Sequence, residues 1–268
     1  MSIISISRDS KTHGEIVAKR VAEQLGFESV GRDIIFEAAQ QSDIPEARIE
    51  KALSESPKGL RRLFGNWRRH LAFFRAAFFE HMEKGCIVYH GLAGQVFLQD
   101  VPGALKIRIV ADIDDRVREE AAAHGLSTET AKRRIELVDR ARREWTRNIY
   151  GVDNSDPHLY DLIINVSSVG IDKAVETIVD MAGRKAFEET GETMAALKDK
   201  ALSARTEAEL LQSFDEVKAT CHDGKCVVSI TAPLLQEEVV AAKARKIAMR
   251  VKGVREVSAG VDTARFAA

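Results

Sequence analysis

Short apolar runs alternate with helical segments along the first two thirds of the chain. Residues 3–7 form an apolar run, and a polar stretch separates it from a segment in which Val17, Val21 and Leu25 recur at helical spacing. The later apolar runs span residues 86–90, 105–111 and 161–167, and a helical segment follows each of them. This alternation predicts an α/β domain with a mainly parallel sheet that helices cover on both faces.

Two long helical segments interrupt this alternation. Within residues 61–84 the apolar side chains recur three or four positions apart, which predicts a helix in the hydrophobic core. These side chains are Leu71, Phe74, Phe78 and Met82. Residues 128–150 combine few aliphatic side chains with many guanidinium groups. The arginines of this second segment are Arg133, Arg134, Arg140, Arg142, Arg143 and Arg147.

The pattern changes after Gly183, which indicates a second domain. Residues 184–196 are polar and predict a linker or connecting helix. Two alternating strands then flank Asp223-Gly224, a residue pair that a type I′ hairpin favours. A helix and a last strand complete a small α+β module. The predicted organisation is therefore a first domain over residues 1–183, a linker over 184–196 and a second domain over 197–268.

The hairpin would place Cys221 opposite Cys226 as a non-hydrogen-bonded pair, the closer of the two kinds of cross-strand pair. Two interpretations stay open, because the pair would serve either as two small core side chains or as a reversible disulfide. The third cysteine is Cys86. Three cysteines are too few for a disulfide framework, so we expect a cytoplasmic protein.

The charge balance narrows the classes of partner. Lys and Arg number 40 and Asp and Glu number 41, which gives a net charge of −1. Such a chain has no overall positive field for nucleic acid or for an anionic membrane. No apolar run approaches the roughly 18 residues that cross a bilayer, so we expect no integral membrane association. A hydrophobic content of 45% is enough for a packed core.

The turn between the first strand and the first helix is where α/β proteins commonly hold phosphate, because free N–H groups and the helix dipole favour an anion there. Residues 7–15 occupy this turn, with Arg8 and Lys11 as its cations. The stretch does not match the phosphate loop G-x-x-x-x-G-K-[ST], because Glu15 follows Gly14 where a lysine is expected. From these residues alone, an ordinary turn and a phosphate site both stay open. We find no ligand spacing typical of a metal site.

Four segments are distinctive when taken together: SISRDSKTHGEIVAKRVAEQLGFESVGRDII, IVYHGLAGQVFL, VPGALKIRIVADIDDRVREE and DRARREWTRNIYGVDNSDPHLYDLIINVSSVGIDKAVETI. Their order and content resemble the cytidylate kinase-like family of P-loop nucleoside monophosphate kinases, over residues 2–182. The resemblance implies a three-layer αβα P-loop kinase-like domain. It also implies ATP, carried with Mg²⁺, as the phosphoryl donor and a nucleoside monophosphate, CMP by family default, as the acceptor.

The same resemblance assigns roles to individual residues. The donor nucleotide would lie on the first loop, at Arg8, Ser10, Lys11, Thr12, His13, Gly14 and Glu15. Lys11, Arg142 and Arg143 would act on the transferring phosphate, since guanidinium forks suit phosphate oxygens. The acceptor would lie near Arg32, Asp33, His90, Gly91, Arg116 and Asp139. The alternative for the arginines of residues 128–150 is a solvated helix face paired with nearby carboxylates.

Two cations typical of the family are missing from this sequence. Gly14 stands where relatives carry Lys or Arg before Glu-Ile, and the acceptor motif is Tyr89-His90-Gly91-Leu92 without its arginine. Either Lys11 replaces the donor cation or the donor site is impaired. Three functions therefore stay open: a nucleoside monophosphate kinase, a catalytically impaired protein that binds or senses a nucleotide or another anion, and a small-molecule kinase with a different acceptor.

The C-terminal segment, residues 197–261, resembles a BON domain through VKATCHDGKCVVSI and AMRVKGVREVSAGV. The resemblance implies a small α+β BON-like domain without catalytic residues. Its expected role is contact with a ligand or formation of a homo-oligomer. For the whole chain we expect nucleotides as small-molecule partners and no nucleic acid.

Overall fold

The structure is a computed structural model that describes residues 3–9, 11–31, 33–42, 45–47, 67–232 and 237–263. Its first sheet is built from β1 (Ile3–Arg8), β2 (Glu28–Val30), β3 (Ile87–Tyr89), β4 (Ala104–Val110) and β5 (Leu162–Asn165). The strands lie in the order β2-β3-β1-β4-β5, and every neighbouring pair is parallel. The predicted parallel sheet is therefore confirmed.

The helices follow the strands in the predicted alternation. They are α1 (Lys11–Leu25), α2 (Asp33–Ser42), α3 (Trp67–Met82), α4 (Gly94–Phe97), α5 (Ile113–His124), α6 (Thr128–Tyr150), α7 (Val166–Val169), α8 (Ile171–Ala182), α9 (Gly191–Leu210) and α10 (Glu237–Ala248). Short 3₁₀ turns span Pro157–Leu159 and Lys185–Phe187. The arginine-rich segment is a single helix, because α6 runs unbroken from its Ser127 N-cap to Gly151.

The described residues separate into two structural units. The first contains residues 3–33 and 84–193, and the second contains residues 34–47, 67–83 and 194–263, within the described ranges. The aromatic helix α3 thus groups with the C-terminal part of the chain. The division at residues 183 and 197 stays a prediction from the sequence.

The core of the first unit lies between its sheet and two helices. Ile4 and Ile6 of β1 pack in one apolar cluster with Val21 of α1 and Ile178 of α8. Ser5, between the two isoleucines, faces the other way and contacts Gly94 of α4, since successive strand side chains point to opposite faces. Helices therefore cover both faces of the sheet, which confirms the predicted three-layer αβα arrangement.

The helices α5 and α6 form an antiparallel hairpin with a small core of its own. Val117 of α5 packs against Ala131 and Ile135 of α6. Gly125 ends α5 with a φ of 62°, a left-handed conformation that glycine adopts without steric cost. This packing fixes the direction in which the arginines of α6 project.

The second unit contains a three-stranded sheet of β6 (Val217–His222), β7 (Lys225–Ala232) and β8 (Glu256–Thr263). β6 and β7 are antiparallel, β7 and β8 are parallel, and α10 connects the parallel pair. Asp223 and Gly224 have φ values of 45° and 75°, the two positive values that a type I′ turn requires. The predicted hairpin is therefore confirmed.

The two cysteines of this hairpin face each other as predicted and are joined by a disulfide. Cys221 is opposite Cys226 in the strand register, and both side chains are buried. They pack with Leu202 of α9 and Val251 in the apolar cluster of the second unit. The pair thus serves as core side chains and as a covalent link at the same time. His222, next in β6, is exposed on the other face.

We expect the disulfide to stabilise the second unit by about 2 kcal/mol, because it closes a short loop in the unfolded chain. Urea unfolding followed by circular dichroism, with and without a reductant, measures this difference. The Cys221→Ser/Cys226→Ser variant should lose the response to reductant, whereas Cys86→Ala, which removes the free thiol, should keep it. An unchanged midpoint after complete reduction, verified by thiol titration, would contradict the prediction.

Candidate phosphate-binding site

The loop between β1 and α1 lies at the carboxyl edge of the parallel sheet. β1 ends at Arg8 and α1 begins at Lys11, so the connection is short. The N–H of Asp9 donates to the carbonyl of Ile109 over 3.1 Å, which holds the loop against the neighbouring strand β4. Ser10 and the side chain of Lys11 lie outside the described residues.

Three arginines from other elements reach this loop. Arg108 of β4 donates to Oδ1 of Asp9 over 2.5 Å. Arg116 of α5 donates to the carbonyl of Asp9 over 3.3 Å. Arg142 of α6 donates to the carbonyls of Arg8 and Asp9 over 3.4 and 3.3 Å. One strand and both helices of the hairpin therefore converge on the β1–α1 loop.

Arg108 is held on every side by protein groups. Besides the Asp9 carboxylate, its guanidinium donates to the Tyr160 hydroxyl over 3.1 Å and to the carbonyl of Asn154. The side chain is only 12% exposed, and the ring of Tyr160 lies 5.6 Å from its Cζ. Arg108 is thus a structural cation whose hydrogen-bonding capacity is largely used within the chain.

Arg116 and Arg142 differ in whether a carboxylate neutralises their charge. Arg116 forms a bidentate pair with Asp139, with both N–O distances at 2.9 Å. Arg142 is half-buried and, among the described residues, has no carboxylate within ion-pair distance; its contacts at the loop are the two long hydrogen bonds to carbonyls. The positive charge of Arg142 is therefore not neutralised by an ion pair within the described residues, and it favours a bound anion at this position.

The titration behaviour of the site reflects this crowding of charge. Burial lowers the pKa of Arg142; Asp139 and Asp9 oppose this effect, whereas Arg116 and Arg108 add to it. Burial also raises the pKa of the Asp9 carboxyl, although the surrounding arginines lower it. Three guanidinium groups share two carboxylates, so an anion that enters would favour the charged form of Arg142.

A fourth guanidinium crosses the first turn of α1. Arg8 donates from Nη1 to the carbonyl of His90 over 2.6 Å and lies 3.2 Å from Nδ1 of that ring. A Cβ atom at Gly14 would lie 2.3 Å from Cδ of Arg8, so the path of Arg8 requires a residue without a side chain at that position. The glycine that replaces the family's helix cation therefore leaves room for a cation from β1.

The environment of His90 disfavours the protonated imidazole. Burial lowers the pKa of its imidazole, the Arg8 guanidinium lowers it further, and Glu15 opposes both effects. Gly31 is also constrained by this ring, because a Cβ there would lie 2.6 Å from Cε1 of His90. The charge at the end of β3 therefore comes from Arg8 rather than from the histidine.

The structure brings together two groups of the residues predicted from the sequence. One group is Arg116, Asp139 and Arg142 at the β1–α1 loop. The other is Arg8, Gly14 and His90 at the first turn of α1. The two groups share the loop backbone, because Arg142 donates to the carbonyl of Arg8.

The remaining predicted residues have other surroundings. Thr12 and Arg143 are exposed, and Gly91 is packed against the Tyr89 ring. His13 pairs with Glu119 over 2.5 Å, Glu15 pairs with Lys19 over 3.0 Å, and Asp33 accepts from the Gly31 N–H over 3.4 Å. Ser10, Arg32 and the side chain of Lys11 lie outside the described residues, so their predicted roles stay predictions.

Three residues of the site were missed by reasoning from the sequence: Asp9, Arg108 and Tyr160. Arg108 carries a usable signal, because a guanidinium within an apolar strand run needs a partner in the folded protein. Its place in the register, opposite Ser7 at the end of β1, indicates where that partner lies. Asp9 and Tyr160 carry no comparable signal, since both belong to loop segments.

The described part of the chain contains neither a metal-binding cluster nor a membrane-spanning helix. No group of three or more His, Cys, Asp or Glu side chains could hold a metal ion there. No helix in the same ranges is long and apolar enough to cross a membrane.

A five-stranded parallel sheet between layers of helices, with a cationic loop after its first strand, is the fold expected of a P-loop kinase-like protein. A model of the cytidylate kinase-like family matches residues 3–168, so the chain belongs to that family. The first part of the predicted resemblance is therefore confirmed, whereas the resemblance of the C-terminal part to a BON domain stays a prediction.

Individual relatives are distant. A cytidylate kinase from Methanopyrus kandleri is 28% identical over 162 residues, which cover 56% of this chain and 77% of that protein. A uronate isomerase from Corynebacterium glutamicum is 32% identical over 95 residues, which cover 35% of this chain but only 18% of the isomerase. A solved structure of an uncharacterized protein from Eubacterium ventriosum has a TM-score of 0.52 and 20% identity, and the match covers 69% of this chain and 100% of that one. The last match shows a shared fold.

We expect Gly14→Ala to displace Arg8 from His90, because the added methyl group would occupy the path of the Arg8 side chain. The pKa of His90 should then rise toward its ordinary value, since a positive charge that lowers it moves away. Titration of the imidazole by NMR measures the shift.

Two other variants make this test specific. Arg8→Ala should raise the pKa of His90 in the same direction, and Gly191→Ala, at a glycine with open space around its Cβ position, should leave it unchanged. If Arg8→Ala raises the pKa while Gly14→Ala does not, the Arg8 side chain accommodates the methyl group and the proposed steric role of Gly14 is wrong.

Proposed function

We propose that the chain transfers the γ-phosphoryl group of ATP to a phosphate oxygen of a nucleoside monophosphate, with CMP as the acceptor that the family suggests. The observation that carries this proposal is the half-buried Arg142 guanidinium, which lies beside the β1–α1 loop without a carboxylate partner among the described residues. Phosphoryl transfer between two polyanions depends on such cations and on positioning.

The donor side of this proposal rests on the β1–α1 loop. The N-terminus of α1, a helix of 15 residues, lies at the loop, and its dipole favours an anion there. The first turn of α1 contains Lys11, Thr12, His13 and Gly14, and we retain Ser10 and Lys11 as contacts to the donor. Mg²⁺ supplies charge neutralisation on the donor phosphates, and it would enter with the nucleotide.

Arg142 is suited to exchange its partners when a phosphate binds. Its hydrogen bonds to the carbonyls of Arg8 and Asp9 are at the long end of the range, whereas a charge-assisted bond to a phosphate oxygen is shorter and stronger. Asp139 holds Arg116 in a bidentate pair and thereby positions both helices of the hairpin. We retain Arg143 as a second clamp, although its side chain is exposed.

The acceptor side of the proposal lies at the end of β3. The sequence assigned Arg8 to the donor nucleotide, but its guanidinium lies at His90, where the family's acceptor motif has its own arginine and this chain has none. We therefore propose that Arg8 lies between the donor and the acceptor. Gly91 follows directly, and Arg32 and Asp33 complete the residues that we assign to the acceptor. A positive charge between the donor loop and the acceptor loop is what transfer between two phosphates requires.

A second candidate function is supported by Asp9. A carboxylate within the donor loop opposes the binding of a phosphate by charge repulsion, unless the Arg108 guanidinium neutralises it. This arrangement is compatible with a protein that binds a nucleotide or another anion without turnover. Kinase-like phosphoryl transfer and binding alone share the same site, so a single experiment separates them.

We also propose a BON-like, noncatalytic role for residues 197–268 and a cytoplasmic location for the protein. The type I′ hairpin followed by α10 and the parallel strand β8 supports the first of these assignments. Ligand contact or formation of a homo-oligomer through this part of the chain follows from the same assignment.

Calorimetric titration with Mg·ATP, followed by addition of CMP and an assay for ADP release, tests the proposed function. Binding with CMP-dependent release of ADP would support the kinase. Binding of ATP without release of ADP would support the second candidate, and release with another phosphate or hydroxyl acceptor would replace CMP. Absence of any binding would overturn both functions.

We expect Arg142→Ala to lower turnover about a hundredfold or more, because it removes a cation that acts on the transferring phosphate. Arg140→Ala is the matched control: it lies on the same helix with an exposed side chain, and turnover should change little. Arg143→Ala should cost less than Arg142→Ala, because Arg143 is exposed. The kcat of each of the three variants is measured together with its melting temperature, so that a loss of turnover can be distinguished from a loss of folded protein. Equal turnover in Arg142→Ala and Arg140→Ala would contradict it.

A further inference from the structure

The second unit contains a cavity of about 550 Å³ that the proposed function does not use. It lies between α3, α9 and the segment that follows α10, and all of its lining residues belong to the second unit. Its volume falls within the range of sites that hold small molecules. The cavity therefore has the size of a ligand site, and its lining decides the class of ligand.

One part of the lining is apolar. Phe73 and Ala76 of α3, Ala208 of α9, and Val251 are buried side chains that border the cavity, and Ile247 of α10 is half-buried beside them. An aromatic ring with several aliphatic side chains favours the transfer of apolar groups out of water. The apolar part of a ligand would rest on these residues.

The rest of the lining has an excess of positive charge. Three cations, Arg205, Arg250 and Lys252, border the cavity together with two carboxylates, Glu80 and Glu209. Both carboxylates have partners inside the chain: Arg205 donates to Glu80 over 3.1 Å, and Gln212 donates to Glu209 over 2.8 Å. Arg205 offsets the charge of Glu80, whereas the neutral Gln212 leaves the charge of Glu209 in place. Arg250 and Lys252 together therefore exceed the one remaining carboxylate, and the lining carries a net charge of +1.

Two observations indicate that these cations are available to a ligand. Arg250 and Lys252 are exposed, and neither has an ion-pair partner among the described residues. The Nε–H of Arg205 is buried without a hydrogen-bond acceptor in the same part of the structure. A buried donor without an acceptor is costly, so a group that accepts from it would be favoured.

We propose that this cavity binds a small organic anion whose apolar body rests on Phe73 and Ile247 and whose carboxylate or phosphate group pairs with Arg250 and Lys252. The apolar lining disfavours inorganic phosphate as the ligand, since it would leave that surface in water. The excess of positive charge disfavours a neutral apolar molecule. The proposal is independent of the phosphoryl transfer proposed above, because no residue of the β1–α1 loop or of its arginines lines the cavity.

Calorimetric titration of the full chain at low ionic strength tests the proposal with four probes. Octanoate and octyl phosphate carry an apolar chain with an anionic group, 1-octanol has the chain alone, and inorganic phosphate has the charge alone. We expect binding of one or both anionic amphiphiles, weakened by salt, and much weaker binding of the other two. The stronger of the two anionic probes identifies the head group as carboxylate or phosphate.

Variants of residues that line the cavity test whether the anionic probes bind there. Arg250→Ala/Lys252→Ala should weaken the affinity for the stronger anionic probe about tenfold or more, because two charge-assisted contacts are removed. Lys246→Ala removes an exposed cation of α10 that does not line the cavity, and its affinity should match that of the original protein. Circular dichroism verifies that the variants are folded.

Each of four results would overturn the proposal. Binding of 1-octanol as tight as that of the anions would show that charge plays no part. Binding of inorganic phosphate as tight as that of the amphiphiles would leave the apolar lining without a role. Equal affinities of the Arg250→Ala/Lys252→Ala and Lys246→Ala variants, or no binding of any probe, would show that the cavity is not an anion site.

Discussion

The ion pair between Arg108 and Asp9 is the interaction on which the geometry of the first site depends. A guanidinium in an apolar strand loses its hydration on folding, so it needs a partner with good geometry. Asp9 supplies the carboxylate over 2.5 Å, and the Tyr160 hydroxyl and a backbone carbonyl complete its shell. Removal of one partner from such a pair commonly costs about 3–5 kcal/mol. The pair therefore fixes the loop after β1 against β4, and the carbonyls that Arg116 and Arg142 contact are fixed with it.

Asp9 has two opposite effects at this loop, because it holds the arginines in place but repels a phosphate. Asp9 organises the cations before any ligand arrives, but its negative charge lies where a phosphate would also be attracted. Burial raises the pKa of the Asp9 carboxyl, and the three nearby arginines oppose this effect. A ligand phosphate gains from Arg142, whose charge has no carboxylate partner in the described residues, and loses from Asp9. The balance of these two terms sets how strongly the loop attracts an anion.

The spacing of apolar residues in the sequence is sufficient to predict most helices and strands, but it does not predict which side chains meet at the site. The apolar run at residues 105–111 and the Asp223-Gly224 pair predict β4 and the hairpin, because both signals are local. β2 was missed because its three residues, Glu28–Val30, are too few to show a period, and their pairing with β3 creates the strand. The contact between Arg8 and Gly14 was missed for a related reason: a glycine in a helix does not reveal which side chain crosses it. Resemblance to a family pointed to Arg116, Asp139 and Arg142, whereas the pairing of Arg108 with Asp9 became visible only in the structure.

The helix α3 shows the same limit of prediction from periodicity. Its spacing correctly predicts that Leu71, Phe74, Phe78 and Met82 are buried, but a period identifies the buried face and not the surface that covers it. In the structure α3 groups with the second unit, where Phe73 borders a cavity with cations on its lining. The sites of the two units also differ in chemistry, since the first has guanidinium groups around a loop backbone and the second combines an apolar wall with cations. A polyphosphate suits the first lining and an amphiphilic anion suits the second, so we expect the two proposed sites to favour different ligands.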